Sequence, residues 1–274
     1  QEFGWRQPIV VDEAMVVLTG GEPLLRDDIM DIARHATGHG LMTVVGTNGM
    51  GLTTDRVADL QAAGVQAVGI SLDSLDPDYH DGFRGLSGAW ARTMAGIDAC
   101  RRAGLMFQIH FSVTDDNEDE LDHMIAFARE AGAAVLNVFF LVCTGRGEKV
   151  TNISAAGYER VLQRLIAAAR EESELLVRAR CAPHFKRMAL EAVPPLPVTL
   201  THGYEAGGCL AGTRYCRVTP EGEVTPCPYM EVSAGSVRER DFAAIWHDAP
   251  LFAELRAPRL EGRCGSCEYA KLCG

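Results

Sequence analysis

Cysteine is the reactive residue type that this sequence spreads least evenly. Of nine cysteines in 274 residues, only Cys100 and Cys143 fall in the first 180, Cys181 follows, and six lie between Cys209 and Cys273. Cys209 is followed by twelve residues, Gly222, four more residues and Cys227, with Cys216 inside the interval; Cys264-x2-Cys267-x5-Cys273 comes next. A thiolate site needs several sulfurs in one coordination sphere, and a C-x2-C turn supplies two at once. Disulfides would suit a small secreted domain, whereas a clustered set in a chain with no recognisable export signal points to metal. A structural zinc ribbon is one reading. Iron and sulfide are favoured because six cysteines exceed one tetrahedral site and no histidine shares their spacing. Cys181 stands outside both groups and reads as a small buried hydrophobe.

A second set of polar groups follows short apolar runs. Gly20-Gly21-Glu22-Pro23 comes directly after Met15–Leu18. Two glycines let a ligand approach the backbone, Glu22 offers a carboxylate to an ammonium, and Pro23 stiffens the turn. The plainer reading is a strand-to-helix turn with proline at its first helical position. Thr47-Asn48-Gly49, then Ser71 and Asp73, then Ser112, Thr114 and Asp115 end the following runs. Each suits a helix cap; together they would ring one rim of a sheet with groups for an amino acid and a ribose. Arg178, Arg180, Lys186 and Arg187 flank Cys181 and His184, and could clamp carboxylates or form a solvated helix face.

The elements that must position these groups repeat one phrase. Helical stretches over 27–39, 54–63, 89–103 and 118–131 end near Gly40, Gly64, Gly104 and Gly132, where a left-handed residue closes a helix. Continuous apolar runs follow each, as in a parallel sheet buried on both faces. With Met15–Leu18 this predicts five strands of an α/β fold. A helix over 155–171 follows. Val193–Pro197 holds three prolines and reads as a boundary, dividing the chain into 1–192 and 193–274. Pro220-Glu221-Gly222 predicts a hairpin turn, and 241–246 and 250–256 predict short helices. A net charge of −11 argues against an extended nucleic-acid or anionic-membrane partner. No apolar run reaches a membrane span, and the expected compartment is the cytoplasm.

These motifs, GGEPLL, TNG, SLDS and the cysteine array, resemble radical S-adenosylmethionine enzymes with a SPASM extension, over nearly the whole chain. The resemblance implies a partial (β/α) TIM-like barrel followed by a small cysteine-rich module. It implies that Gly20, Gly21, Glu22 and Pro23 hold the cosubstrate's methionine end, and that Thr47, Asn48, Ser71, Asp73 and Arg84 line the remainder of its site. Cys209, Cys216, Cys227, Cys264, Cys267 and Cys273 would hold one or two auxiliary [4Fe-4S] clusters. Within the family, GGCLAGTRYCRVTPEGEVTPCPYM, with RCAPHFKR upstream and GRCGSCEYAKLCG downstream, is most similar to enzymes of haem d1 and alternative haem biosynthesis. That implies a tetrapyrrole substrate whose propionates meet Arg178, Arg180, His184, Lys186 and Arg187. It also implies a low-potential electron donor such as ferredoxin or flavodoxin. The family's C-x3-C-x2-C loop is absent from these residues. The chain therefore reads as a fragment, expected to be unable to cleave the cosubstrate by itself. A SPASM peptide-modifying enzyme and a non-catalytic iron–sulfur or zinc-binding fragment are the rival readings.

Overall fold

The computed structural model describes residues 14–142, 144, 153–194 and 209–273. Strands β1 (Met15–Leu18), β2 (Met42–Thr47), β3 (Ala67–Ser71) and β4 (Met106–Val113) pair parallel, with Val17 beside Val44, Gly46 beside Gly69 and Ser71 beside His110. β5 (Val135–Phe140) and β6 (Leu176–Arg180) extend the sheet, whose spatial order equals the chain order. Successive crossovers of one hand give that order. It is the order of a barrel, since a doubly wound sheet reverses direction at its switch point.

The helices between the strands are α1 (Ile29–Gly38), α2 (Thr54–Ala62), α3 (Pro77–Arg84), α4 (Ala89–Ala103), α5 (Leu121–Ala131), α6 (Ala155–Glu171) and α7 (Phe185–Glu191). Their boundaries follow from capping. The Thr53 hydroxyl accepts from Arg56 N at the start of α2, and Ser154 does the same for Gly157 N at α6. Gly104 and Gly132 end α4 and α5 in the left-handed conformation that glycine adopts without a Cβ penalty.

Two expectations need correction. The sheet has six strands, not five, because Leu176–Arg180 is extended: Val177 and Ala179 are buried while Leu176, Arg178 and Arg180 are half-exposed. Its two-residue alternation was obscured by the arginines, which suited a helix face equally well. β4 also alternates. Phe107, Ile109, Phe111 and Val113 are buried in the core, while Gln108, His110 and Ser112 occupy the other face. An apparently continuous apolar run thus carries a polar stripe. Residues 195–197 of the proline-rich boundary lie outside the described residues.

Contacts group the described residues into two units. One comprises the residues up to Ser112 with Asp119–Val138 and Ser173–Val177; the other comprises Val113–Glu118, Phe139–Glu172 and the residues from Arg178 onward. The second unit contains a three-stranded antiparallel sheet: β7 (Arg217–Val218), β8 (Glu223–Thr225) and β9 (Gly235–Ser236). Helices α8 (Phe242–Asp248), α9 (Pro250–Arg256), α10 (Gly262–Gly265) and α11 (Ala270–Cys273) follow. Val224, Ile245, Ala249 and Phe252 form a small core there, fully removed from solvent. Arg256 closes one side, stacking on Trp246 and donating to the Gly212 and Trp246 carbonyls.

Candidate functional site

At the end of β1 the backbone is bare. A Cβ added to Gly20 or Gly21 would meet nothing within 4 Å, and Gly20 adopts a φ of +150°. The Glu22 side chain turns back to cap a short 3₁₀ turn, Pro23–Leu25, accepting from Leu24 N at 3.1 Å. The same carboxylate accepts from the Thr47 hydroxyl at 2.7 Å and from Asn48 N at 2.7 Å. The end of β2 therefore orients Glu22. A carboxylate has about four acceptor positions, so three fixed donors leave room for one more. The remaining acceptor position fits an ammonium group such as that of S-adenosylmethionine.

The Thr47-Asn48-Gly49 turn is itself clamped. Gly49 N donates to the Thr47 hydroxyl, and the Thr93 hydroxyl of α4 donates to Asn48 O. Gly49 has a φ of +82°, and a Cβ there would lie 2.7 Å from Ile70. A Cβ on Gly96 of α4 would lie 2.3 Å from Gly49 O. Bare backbone on both sides lets α4 press directly on the turn that holds Glu22.

Asp73 plays a different part from direct ligation. Its side chain is fully buried; it accepts from Ser112 N at 3.1 Å and forms an ion pair with Arg84 at the end of α3. Asp73 N donates to His80 Nδ1 at 3.2 Å. Burial lowers the His80 pKa, outweighing the opposing pull of the Asp73 carboxylate. The accepting Nδ1 and the depressed basicity both describe a neutral imidazole, so Asp73 and His80 do not form an ion pair despite their 4.0 Å approach. Glu120 fixes the rest of this turn, accepting from the Ser74 hydroxyl and from Leu75 N. Asp73 thus positions Arg84, and Ser71 remains half-exposed at the rim.

Gly69, Gln108, His110 and Asn137, none of them singled out by sequence spacing, form a stripe across β3, β4 and β5. The His110 ring lies over Gly69, where a Cβ would come within 2.5 Å of it. Asn137 donates to Gln108 at 2.8 Å on the neighbouring strand. The available signal was the polar residue at every second position of β4.

The cysteines form two neighbourhoods. Arg217 pairs with Thr225 in the β7–β8 hairpin, so Cys216 and Cys227 flank its open end. The Cys216 side chain packs against the Val224–Phe252 core, and burial pushes its thiol up to about 11. Cys181, expected to be a buried hydrophobe, is exposed and lies close enough to Cys209 and Cys227 to feel their charge. It accepts a hydrogen bond from Tyr229, whose hydroxyl is pushed up to about 12 by burial and then by the Cys181 charge. Desolvation of its sulfur is the main cause raising the Cys181 thiol. Cys264, Cys267 and Cys273 form the second neighbourhood, in which burial, then Cys267 and Cys264, raise the Cys273 thiol. Among the described residues, no three His, Cys, Asp or Glu side chains already share one coordination sphere. The donor chemistry nonetheless fits iron–sulfur clusters, being thiol in both neighbourhoods.

The five cationic candidates separate. Arg178 and Arg180 alternate on β6, and His184 lies 5.3 Å from Tyr158, which stacks on Phe140 at 4.2 Å. Lys186 is buried on α7 and senses Cys273, as does Arg187, which also pairs with Glu191. Two of the five therefore neighbour the downstream thiols.

Comparison with known proteins matches residues 12–128 to the radical SAM superfamily and residues 209–268 to SPASM, an iron–sulfur cluster-binding domain. The chain is 43% identical over 269 residues to an AdoMet-dependent heme synthase of Methanosarcina barkeri, covering 96% of this chain and 77% of that protein. It is 34% identical over 279 residues to a pre-heme d1 synthase of Dinoroseobacter shibae, covering 94% and 68%. Its fold matches Streptococcus suis SuiB with a TM-score of 0.75 at 18% identity, covering 94% of this chain and 61% of that one. No helix among the described residues is long and apolar enough to cross a membrane.

Proposed function

Since the chain belongs to the radical S-adenosylmethionine superfamily and carries its SPASM iron–sulfur extension, we propose that it modifies propionate side chains of a tetrapyrrole in haem or haem d1 formation. The observation that carries this reading is the alignment of nearly the entire chain with a heme synthase and a pre-heme d1 synthase. When bound, a reduced four-iron cluster would supply the electron for reductive cleavage of S-adenosylmethionine to methionine and a hydrogen-abstracting deoxyadenosyl radical.

The chain's own residues then have definite tasks. Glu22 accepts from the cosubstrate ammonium, held in place by Thr47 and Asn48. Gly20 and Gly21 admit the cosubstrate to the backbone, and Asp73 orients Arg84 toward the rim beside Ser71. Arg178 and Arg180 receive propionate carboxylates, which need charged donors when they leave water. His184 stands against the half-buried ring of Tyr158, which the buried Phe140 backs, and can meet a macrocycle edge. Lys186 and Arg187 complete the cationic set from the side of Cys273. In this reading residues 1–192 serve the cosubstrate, residues 193–274 serve the auxiliary clusters, and a ferredoxin or flavodoxin supplies the electrons.

The test uses the full-length protein under anaerobic conditions. Absorbance titration with a propionate-bearing tetrapyrrole should saturate, and dithionite with S-adenosylmethionine should yield 5′-deoxyadenosine and a tetrapyrrole altered at its propionates by mass. Absence of tetrapyrrole binding, with 5′-deoxyadenosine formation stimulated by a peptide instead, would replace this reading with a peptide-modifying one.

A further inference from the structure

The face of the sheet turned away from the helices carries polar groups that neither the cosubstrate nor the cysteines use. Ile70 of β3 lies beside the Gly49 turn, on the side of α4, so Gly69 and Ser71 point the other way. The register sets Gly69 beside Gln108 and Ser71 beside His110. In an α/β barrel this inner face is ordinarily filled by layers of bulky branched side chains. Here β2 and β3 contribute the paired glycines Gly46 and Gly69, and the next two strands contribute Gln108, His110 and Asn137. The His110 ring crosses toward β3 into the space left by Gly69, where a Cβ would lie 2.5 Å from its Cε1 and 2.7 Å from its Nε2. Asn137 is 1% exposed and donates to Gln108 Oε1 at 2.8 Å. That bond fixes the Gln108 carboxamide and turns its NH2 away from Asn137. The NH2 has no partner among the described residues. Gln108 and His110 are half-exposed, and the stripe opens at the rim beside Ser71. A donor held in place inside a barrel, with nothing to donate to, calls for an acceptor on a ligand.

We propose that Gln108 and His110 receive the carboxylate of the propionate that reacts, and that Asn137 is the residue positioning Gln108. The inference rests on the tetrapyrrole reading and adds a specific task for residues which that reading leaves idle. A carboxylate offers about four acceptor positions, enough for the Gln108 NH2 and a ring nitrogen of His110 together. A propionate has two methylene carbons between the macrocycle and the carboxylate. Anchoring the carboxylate on the inner face while the macrocycle stays outside stretches those carbons past Ser71, where this reading puts the cosubstrate. Hydrogen abstraction depends on that alignment, because a reacting carbon held near its partner reacts far faster than one that wanders. Arg178 and Arg180 then serve propionates that remain unchanged.

The experiment compares Gln108→Leu, Gln108→Glu and Asn137→Asp with the wild type, as full-length, cluster-loaded protein under anaerobic conditions. Three quantities are read: affinity for a propionate-bearing tetrapyrrole by absorbance titration, affinity for S-adenosylmethionine by calorimetry, and altered tetrapyrrole formed per 5′-deoxyadenosine. Gln108→Leu removes one hydrogen bond and should weaken tetrapyrrole binding roughly two- to tenfold. Gln108→Glu sets one carboxylate against another and should weaken it at least as much. Asn137→Asp can only accept, so it draws the Gln108 NH2 toward itself and away from the substrate. In all three variants the yield of altered tetrapyrrole per 5′-deoxyadenosine should fall, while S-adenosylmethionine affinity stays at the wild-type value. Wild-type tetrapyrrole affinity and yield in both Gln108 variants would overturn the inference. A parallel loss of S-adenosylmethionine affinity would mark the stripe as structural and overturn it too. Absence of tetrapyrrole binding by the wild type would remove the tetrapyrrole reading itself, and this inference with it.

Discussion

Replacing Glu22 with Gln keeps the side chain's size and removes its charge. Three donors converge on this carboxylate: Leu24 N and the Thr47 hydroxyl at one oxygen, and Asn48 N at the other. A glutamine must present its NH2 to one of these sets. Facing Asn48 leaves Asn48 N without an acceptor, and facing Leu24 and Thr47 leaves Leu24 N without one, since the Thr47 hydroxyl can turn and accept. Either way one part-buried backbone N–H meets a donor, which costs about 1–3 kcal/mol of stability. The cosubstrate ammonium loses a hydrogen bond to a charged acceptor, worth about 1.5–3 kcal/mol. At 1.36 kcal/mol per tenfold, affinity for S-adenosylmethionine should fall roughly ten- to a hundred-fold. Thr47→Val is the companion variant. It leaves the charge but removes one of the groups aiming it, so affinity should fall only a few-fold, in line with about 0.5–1.5 kcal/mol for an ordinary hydrogen bond. Anaerobic calorimetry on the cluster-loaded full-length protein reads both. Unchanged affinity in Glu22→Gln, or a larger loss in Thr47→Val than in Glu22→Gln, would refute the assignment and leave GGEP a structural turn.

Other outcomes follow from the same geometry. Gly96→Ala places a methyl 2.3 Å from Gly49 O, and backbone cannot rotate aside, so α4 should shift at a cost of about 1–3 kcal/mol or more; a urea midpoint and cosubstrate affinity that both stay at wild-type values would contradict this. Gly69→Ala collides with the His110 ring, and adding His110→Ala should recover much of the lost stability; strictly additive midpoints would show that the two do not compete for space. His80 has a pKa lowered by burial, so below its unfolded value of about 6.5 the unfolded chain binds a proton that the folded one resists. Stability should therefore fall as pH drops below about 6.5, with His184, also depressed by burial, adding to the slope. His80→Gln retains an acceptor for Asp73 N and should flatten that slope; an unaltered profile in denaturant titrations would remove His80 as its source. Finally, the cysteine-rich segment should bind iron and sulfide, and stoichiometric zinc without iron after anaerobic purification would exclude the cluster assignment.

The features legible in the sequence were those written in neighbouring residues. Helix ends at Gly104 and Gly132 depend on local backbone chemistry, so spacing alone revealed them. Glu22 could be nominated because GGEP is contiguous, and Cys264 and Cys267 because a C-x2-C turn is short. What only the tertiary structure decided required residues distant in sequence to meet. Thr47 and Asn48 looked like ligands equal in rank to Glu22 and prove to be what aims it, across 25 and 26 residues. Asp73 looked like a rim group, and burial beneath Arg84 and Ser112 makes it a positioning carboxylate. β6 was hidden because alternating arginines satisfy a helix face as well as a strand, and pairing in the sheet resolved the ambiguity. Cys181 read as a small buried hydrophobe, and a left-handed turn after β6 leaves it exposed instead. Periodicity reports which face of an element is apolar; it carries no information about which groups from separate elements will share the space above that face, and packing decides that.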